Sequence, residues 1–158
     1  MVRGSILAMV CLLFVAPALA GTTDVHDTHN TAAGLALPEG SPLFGELGGR
    51  AGLVRIINVA MKNFLADKRI RGKFQDENIP RLKGMLVDYF QMVSGGPDVY
   101  KGFRDLKVVH EGLHLRDRDF YALVEDLQKA MNRVGVPFHV QNQLLAILAP
   151  MRGDVVSR

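Results

Sequence analysis

The 158-residue chain carries 19 basic and 16 acidic side chains, a formal net charge of +3 with histidine neutral, and a single cysteine. The charges are interspersed and form no basic stripe with interleaved aromatic residues, which argues against a nucleic-acid-binding surface. The length that remains behind an N-terminal leader fits one small domain, which has room for one core and one cavity.

The first twenty residues have the pattern of an export signal. Arg3 supplies the positive start, residues 6–19 carry no charge, and residues 18–20 (Ala-Leu-Ala) are typical of a cleavage site. We expect cleavage before Gly21 and a soluble mature protein in an exported compartment, the bacterial periplasm. The uncharged stretch is shorter than the roughly 20 apolar residues of a comfortable membrane span. An uncleaved anchor at the same terminus is the alternative.

Residues 1–20 also contain the only cysteine, Cys11. The mature chain therefore has no cysteine, which excludes disulfides, thiolate metal sites and cysteine nucleophiles. Residues 21–41 are rich in Thr, Ala, Gly, Asp and His without an apolar period, and this composition predicts a flexible leader. The folded domain is expected over residues 42–158.

Four segments of the domain then show helical spacing of apolar residues. The first runs from about Arg50 to Ala66, after a glycine pair. The second has Asn78 as a candidate cap and Pro80 in its first turn. The third begins at Asp117, and the fourth begins at Pro137 with Pro150 expected to weaken its last turn. The inward-facing positions are Leu53, Ile57, Ala60, Met61 and Phe64; Leu82, Leu86, Tyr89, Phe90 and Val93; Phe120, Leu123, Val124, Leu127, Met131 and Val134; and Val140, Leu144, Ile147, Leu148 and Met151.

No segment alternates with the period of a β-strand, so the sequence predicts a small all-α domain. His110 lies between the two helix pairs, in the segment Lys107-Val108-Val109-His110-Glu111-Gly112. An imidazole opposite an apolar wall suits the single axial ligand of a haem iron. A lone histidine is more commonly a packed or surface residue, so the surrounding pattern must support the haem interpretation.

The sequence pattern around His110 consists of ten short motifs, which are separated along the chain. They are Leu47-Gly48-Gly49; Leu65-Ala66-Asp67; Phe74; Arg81-Leu82-Lys83-Gly84; Tyr89-Phe90; Gly95-Gly96-Pro97 with Tyr100 and Gly102; Val109-His110-Glu111-Gly112; Phe120; Gly135-Val136-Pro137; and Ala149-Pro150. In this order and at these spacings, the chain from about Pro42 to about Val155 resembles the group I truncated haemoglobins.

The resemblance implies a two-over-two helical sandwich around one b-type haem, with His110 as the proximal iron ligand. It implies that Phe74 stacks on the porphyrin edge, that Lys83 reaches a haem propionate and that Tyr100 lies near the haem rim. An ordinary core phenylalanine and a surface tyrosine are the alternatives for Phe74 and Tyr100. The remaining haem contacts that the resemblance implies are Leu82, Leu86, Phe90 and Phe120.

The chain departs from the family pattern on the distal side of the haem. Met61 replaces the usual tyrosine, and Leu86 stands where glutamine is frequent, one turn after Leu82. The expected distal wall of Met61, Leu82, Leu86 and Phe90 contains no hydrogen-bond donor, which predicts weaker oxygen binding. Two alternatives remain: Met61 as a sixth iron ligand, and His114 in place of His110 as the proximal ligand.

These observations favour a monomeric haem protein that reversibly binds a diatomic gas, oxygen and also CO or NO, of the oxygen-transport type. The alternative is a redox role, either nitric oxide detoxification or electron transfer. A dioxygenase needs well-held oxygen and electrons, and the chain has neither distal donors nor a flavin or nicotinamide motif, so an enzyme is the less favoured interpretation. A haem-free helical interaction domain is the third hypothesis.

Overall fold

The computed structural model describes residue 37, residues 39–97 and residues 105–156. The predicted export signal, most of the leader and Tyr100 lie outside the described residues. The α-helices of the described part are α1 (Pro42–Glu46), α2 (Gly49–Ala66), α3 (Ile79–Val93), α4 (Leu106–His110), α5 (Asp117–Arg133), α6 (Phe138–Leu148) and α7 (Arg152–Val155). Two 3-10 turns, Arg71–Phe74 and Ala149–Met151, complete these elements, and no strand occurs in the described ranges. The predicted all-α class is confirmed.

Helix α2 is the centre of the domain, because it packs against both α3 and α5. Its apolar residues recur at helical spacing and form a fully buried face. The helix begins after Gly48, whose φ of 84° is a left-handed conformation that glycine adopts without strain. It ends at Ala66 because Asp67 is extended. The buried residues of α2 are Gly52, Leu53, Ile56, Ile57, Ala60, Met61 and Phe64.

Helix α3 begins and ends where its sequence signals predict. The side chain of Asn78 accepts a hydrogen bond from the backbone N–H of Arg81 at 3.1 Å, which satisfies one free donor of the first turn. Pro80 occupies the first turn, where no N–H is required. At the other end, Gly95 has a φ of 81° and reverses the chain.

The fourth predicted helix is shorter than its apolar period indicates. Helix α6 ends at Leu148, and the chain continues through a 3-10 turn into the separate helix α7. Pro150 lies in that turn, and proline both lacks an N–H donor and clashes with the preceding turn of a helix. The predicted weakening at Pro150 is therefore confirmed, and it turns the chain so that α7 packs against α4.

Three short helices, α1, α4 and α7, have no counterpart among the four predicted segments. They are only four or five residues long, which is too short to produce an apolar period. None of the helices in the described ranges combines the length and the apolar character that a membrane span requires.

Candidate functional site

His110 is the last residue of α4, and its ring is held by its own helix. Nδ1 lies 2.7 Å from the backbone carbonyl oxygen of Leu106, one turn earlier. A carbonyl oxygen only accepts hydrogen bonds, so Nδ1 carries the proton and donates, and Nε2 keeps the lone pair. The side chain is half-buried. This arrangement fits a metal-ligating imidazole, whose second ring nitrogen is usually bonded to a carbonyl or carboxylate.

Three of the expected haem contacts, Phe74, Leu82 and Leu86, lie at the margin of the core. Phe74 closes the 3-10 turn before α3 and stacks on Phe64 of α2, with ring centroids 5.8 Å apart and planes 8° apart. Leu82 and Leu86 lie one turn apart on α3, and both are half-buried and pack against the core. Half-burial leaves part of each apolar surface available to a ligand.

Met61 lies deeper than the leucines. Its side chain is only 2% exposed and belongs to the central apolar cluster, as does Phe90 at 6%. Neither side chain carries a hydrogen-bond donor. The structure therefore places two of the four expected distal residues within the core and the two leucines at its edge.

Lys83 lies on the side of α3 that faces α2. Its ammonium donates a hydrogen bond to the side-chain oxygen of Asn58 on α2 at 2.9 Å. Both residues line a cavity of about 230 Å³ between the two helices, together with Arg50, Val54, Ile57, Gly84 and Val87. The predicted contact of Lys83 with a haem propionate stays a prediction.

The other expected site residues lie in α5 and the loops. Phe120, in the first turn of α5, is half-buried and meets the ring of Tyr121 edge-on, with centroids 5.9 Å apart. His114 is exposed in the loop after α4 and has a positive φ of 49°. Tyr100 lies outside the described residues, so its placement stays a prediction.

Sequence reasoning did not identify two polar contacts at this site. Lys73 donates hydrogen bonds to the carbonyl oxygens of Leu113 and His114. Tyr89 donates from its hydroxyl to the Sδ atom of Met151 at 3.1 Å, which ties α3 to the C-terminal 3-10 turn. Both contacts join residues at least 40 positions apart in the chain, and no local pattern indicates them.

Comparisons with known proteins agree with the helical fold of this chain. Residues 42–157 match the model of the bacterial-like globin family. A group 1 truncated hemoglobin of Tetrahymena thermophila is 27% identical over 116 residues, which is 73% of this chain and 95% of the relative. One from Mycolicibacterium paratuberculosis is 29% identical over 119 residues, which is 75% of this chain and 87% of the relative.

Solved structures give the same result. The ferric truncated hemoglobin of Tetrahymena pyriformis superposes with a TM-score of 0.69 at 26% identity, covering 73% of this chain and 98% of that protein. A 2/2 hemoglobin from a Synechococcus species, in the cyanomet state and with covalently attached heme, gives 0.68 at 25% identity, covering 73% and 98%. The predicted two-over-two helical fold is confirmed.

Titration of Tyr89 offers a test of the contact between α3 and the C-terminal turn. Burial raises the pKa of the Tyr89 hydroxyl from 10 to about 12, and the nearby carboxylate of Asp154 adds to the shift. Because the folded-state pKa is the higher one, this stabilisation is complete below pH 10 and is lost as the pH rises through about 12.

We expect Tyr89 to form its phenolate near pH 12 in an alkaline ultraviolet titration. Tyr89→Phe should remove that step, and Tyr121→Phe is the matched control that retains it. Loss of the late step in the Tyr121 variant instead would contradict the assignment.

Proposed function

Because the chain belongs to the bacterial-like globin family, we propose that it is an exported haem protein that reversibly binds a diatomic gas at an iron ligated by His110. The supporting observation is the 2.7 Å bond between Nδ1 of His110 and the carbonyl of Leu106. It fixes the ring tautomer and leaves Nε2 as the basic nitrogen. Globins bind haem, and the group proposed here is b-type haem, which is held without covalent bonds to the chain.

The residues of the chain fit this cofactor by their chemistry. Phe74, Leu82 and Leu86 offer partly buried apolar surface for the porphyrin, and Phe120 is proposed to add to it from α5. When bound, the haem supplies an iron with one position for His110 and one for a gas. Lys83 and Tyr100 are the proposed contacts at the propionate edge.

Optical spectra of the purified protein with one equivalent of haem test the ligand. We expect a Soret band and a ferrous five-coordinate spectrum that changes with CO. His110→Ala should lose this spectrum, because no neighbouring imidazole lies in α4. His114→Ala is the matched control, since it removes an exposed imidazole four residues away, and it should keep the wild-type spectrum.

Three outcomes would contradict the proposal. A spectrum that survives His110→Ala and is lost in His114→Ala would move the ligand to His114. A six-coordinate ferrous spectrum that Met61→Leu abolishes would replace gas binding with electron transfer. Failure of the wild-type chain to take up haem would leave a helical interaction domain.

The proposed distal wall favours ligands that need no hydrogen bond. Dioxygen gains about 1–2 kcal/mol from a donor, which corresponds to roughly tenfold in retention, whereas CO depends less on one. Met61 is 2% exposed and carries only a thioether, which cannot donate. We therefore propose fast oxygen release and a stronger preference for CO over oxygen than a distal pocket with a donor would give.

Substitution at position 61 tests this proposal with a matched pair. Met61→Tyr introduces a hydroxyl and should slow oxygen dissociation about tenfold, while CO dissociation changes little. Met61→Phe introduces the same ring without the hydroxyl and controls for the change in packing. Stopped-flow measurement of both gases gives the comparison. Equal effects of the two variants on oxygen release would mean that packing alone controls retention.

Export is a separate part of the proposal and rests on residues 1–20. The expected mature protein begins at Gly21, and N-terminal sequencing of the protein recovered from the periplasmic fraction checks it. Leu12→Arg should keep the protein in the cytoplasm, because a charge interrupts the apolar stretch that the export machinery reads. Recovery of the wild-type chain with Met1 in the membrane fraction would indicate an uncleaved anchor.

A further inference from the structure

One lysine ties the loop that follows His110 to the turn between α2 and α3. Lys73 lies in the 3-10 turn between α2 and α3, and its Nζ donates to the carbonyl oxygen of Leu113 at 2.8 Å and to that of His114 at 3.2 Å. Three donors on one ammonium allow both bonds at once. The contact closes a chain segment of 40 residues, which includes all of α3 and α4.

The backbone of this loop contains two residues in the left-handed conformation. Gly112 has a φ of 77°, and two residues later His114 has a φ of 49°. A left-handed conformation is unfavourable for a residue with a side chain, and it persists where surrounding contacts impose it. Lys73 binds the carbonyl of His114 itself and that of the preceding residue, so its bonds hold the strained position.

Hydrogen bonds continue from the lysine to the imidazole. The backbone N–H of Leu113, whose carbonyl accepts from Lys73, donates to the carbonyl of His110 at 3.3 Å. The ring of His110 in turn donates to Leu106 at 2.7 Å. A displacement of the loop would therefore be transmitted to His110.

The turn that carries Lys73 is itself fixed to the core. The backbone N–H of Lys73 donates to the carbonyl of Ile70 at 2.8 Å, and Ile70 is 2% exposed. The next residue, Phe74, stacks on Phe64 of α2. The lysine thus connects a turn that is anchored to the core with the loop that follows His110.

We propose that Lys73 is a positioning residue that fixes the loop 111–114 and, through it, the orientation of His110 and the retention of the cofactor. This inference rests on the haem function proposed above. Lys73 does not touch iron or gas in this scheme; it acts through the backbone of the loop.

Three variants test the role. Lys73→Met removes the ammonium and keeps a long apolar stem, and Lys73→Arg supplies several N–H donors that reach two carbonyls. Lys68→Met is the matched control, because this lysine lies in the same connection between α2 and α3 and is exposed. All three should have wild-type helix content by circular dichroism.

Haem transfer to an excess of apomyoglobin measures retention. We expect Lys73→Met to lose haem about fivefold faster than the wild type, with Lys73→Arg close to the wild type and Lys68→Met unchanged. The iron–histidine stretching band of the ferrous protein, observed by resonance Raman spectroscopy, should shift or broaden in Lys73→Met alone. A merely structural role of the lysine would leave that band at its wild-type frequency.

Hydrogen exchange of the haem-free protein separates this inference from the proposed function. Amides in residues 111–116 should lose protection in Lys73→Met and recover it in Lys73→Arg. If Lys73→Met matches Lys68→Met in exchange, haem loss and the Raman band, the inference is wrong although the protein binds haem. If the wild type takes up no haem, the haem function fails, and a fixed loop in the exchange data would leave Lys73 with a structural role only.

Discussion

The bond between Nδ1 of His110 and the carbonyl of Leu106 is the constraint on which the site depends. In a helix, a side chain leans back over the preceding turn, so a histidine at the end of α4 reaches the carbonyl four residues earlier without strain. The bond converts a rotatable ring with two possible tautomers into one with a fixed basic nitrogen. No other element contributes an atom to it, so the orientation of the imidazole depends on whether α4 itself is formed.

A helix of five residues is not stable alone, because fixing the backbone of its first turn costs more free energy than the hydrogen bonds of one turn contribute. Two features of the fold compensate. Asp105 caps the first turn through a 2.8 Å bond to the N–H of Lys107, and α7 packs against α4. Helix α7 reaches that position because Pro150 ends the regular helix before it. A proline near the C-terminus thus contributes to holding a histidine about 40 residues earlier in the sequence.

The sequence distance between interacting residues explains which parts of the molecule were predictable. Local signals were sufficient for α3, because Asn78 and Pro80 act within one turn, and for the break at Pro150. The family pattern supplied the two-over-two fold. Contacts between distant side chains carried no local signal: Lys83 meets Asn58 across 25 positions, and Lys73 meets Leu113 across 40. Spacing gives the face of a helix on which a lysine lies, but the partner depends on how the helices pack.

The polar side chains of α3 also bear on the proposed distal wall. The ammonium of Lys83 is bonded to Asn58, the hydroxyl of Tyr89 to Met151, and the amide of Gln91 to the carbonyl of Pro97. These donors hold α3 to α2, to the C-terminal turn and to the loop after α3. A donor that turned toward a bound gas would have to give up such a bond, at a cost similar to the stabilisation that it would provide. The absence of a donor at Met61, Leu82 and Leu86 is therefore not compensated by these neighbours. In the proposed haem protein, the shape of an apolar wall would then determine which diatomic gas is retained.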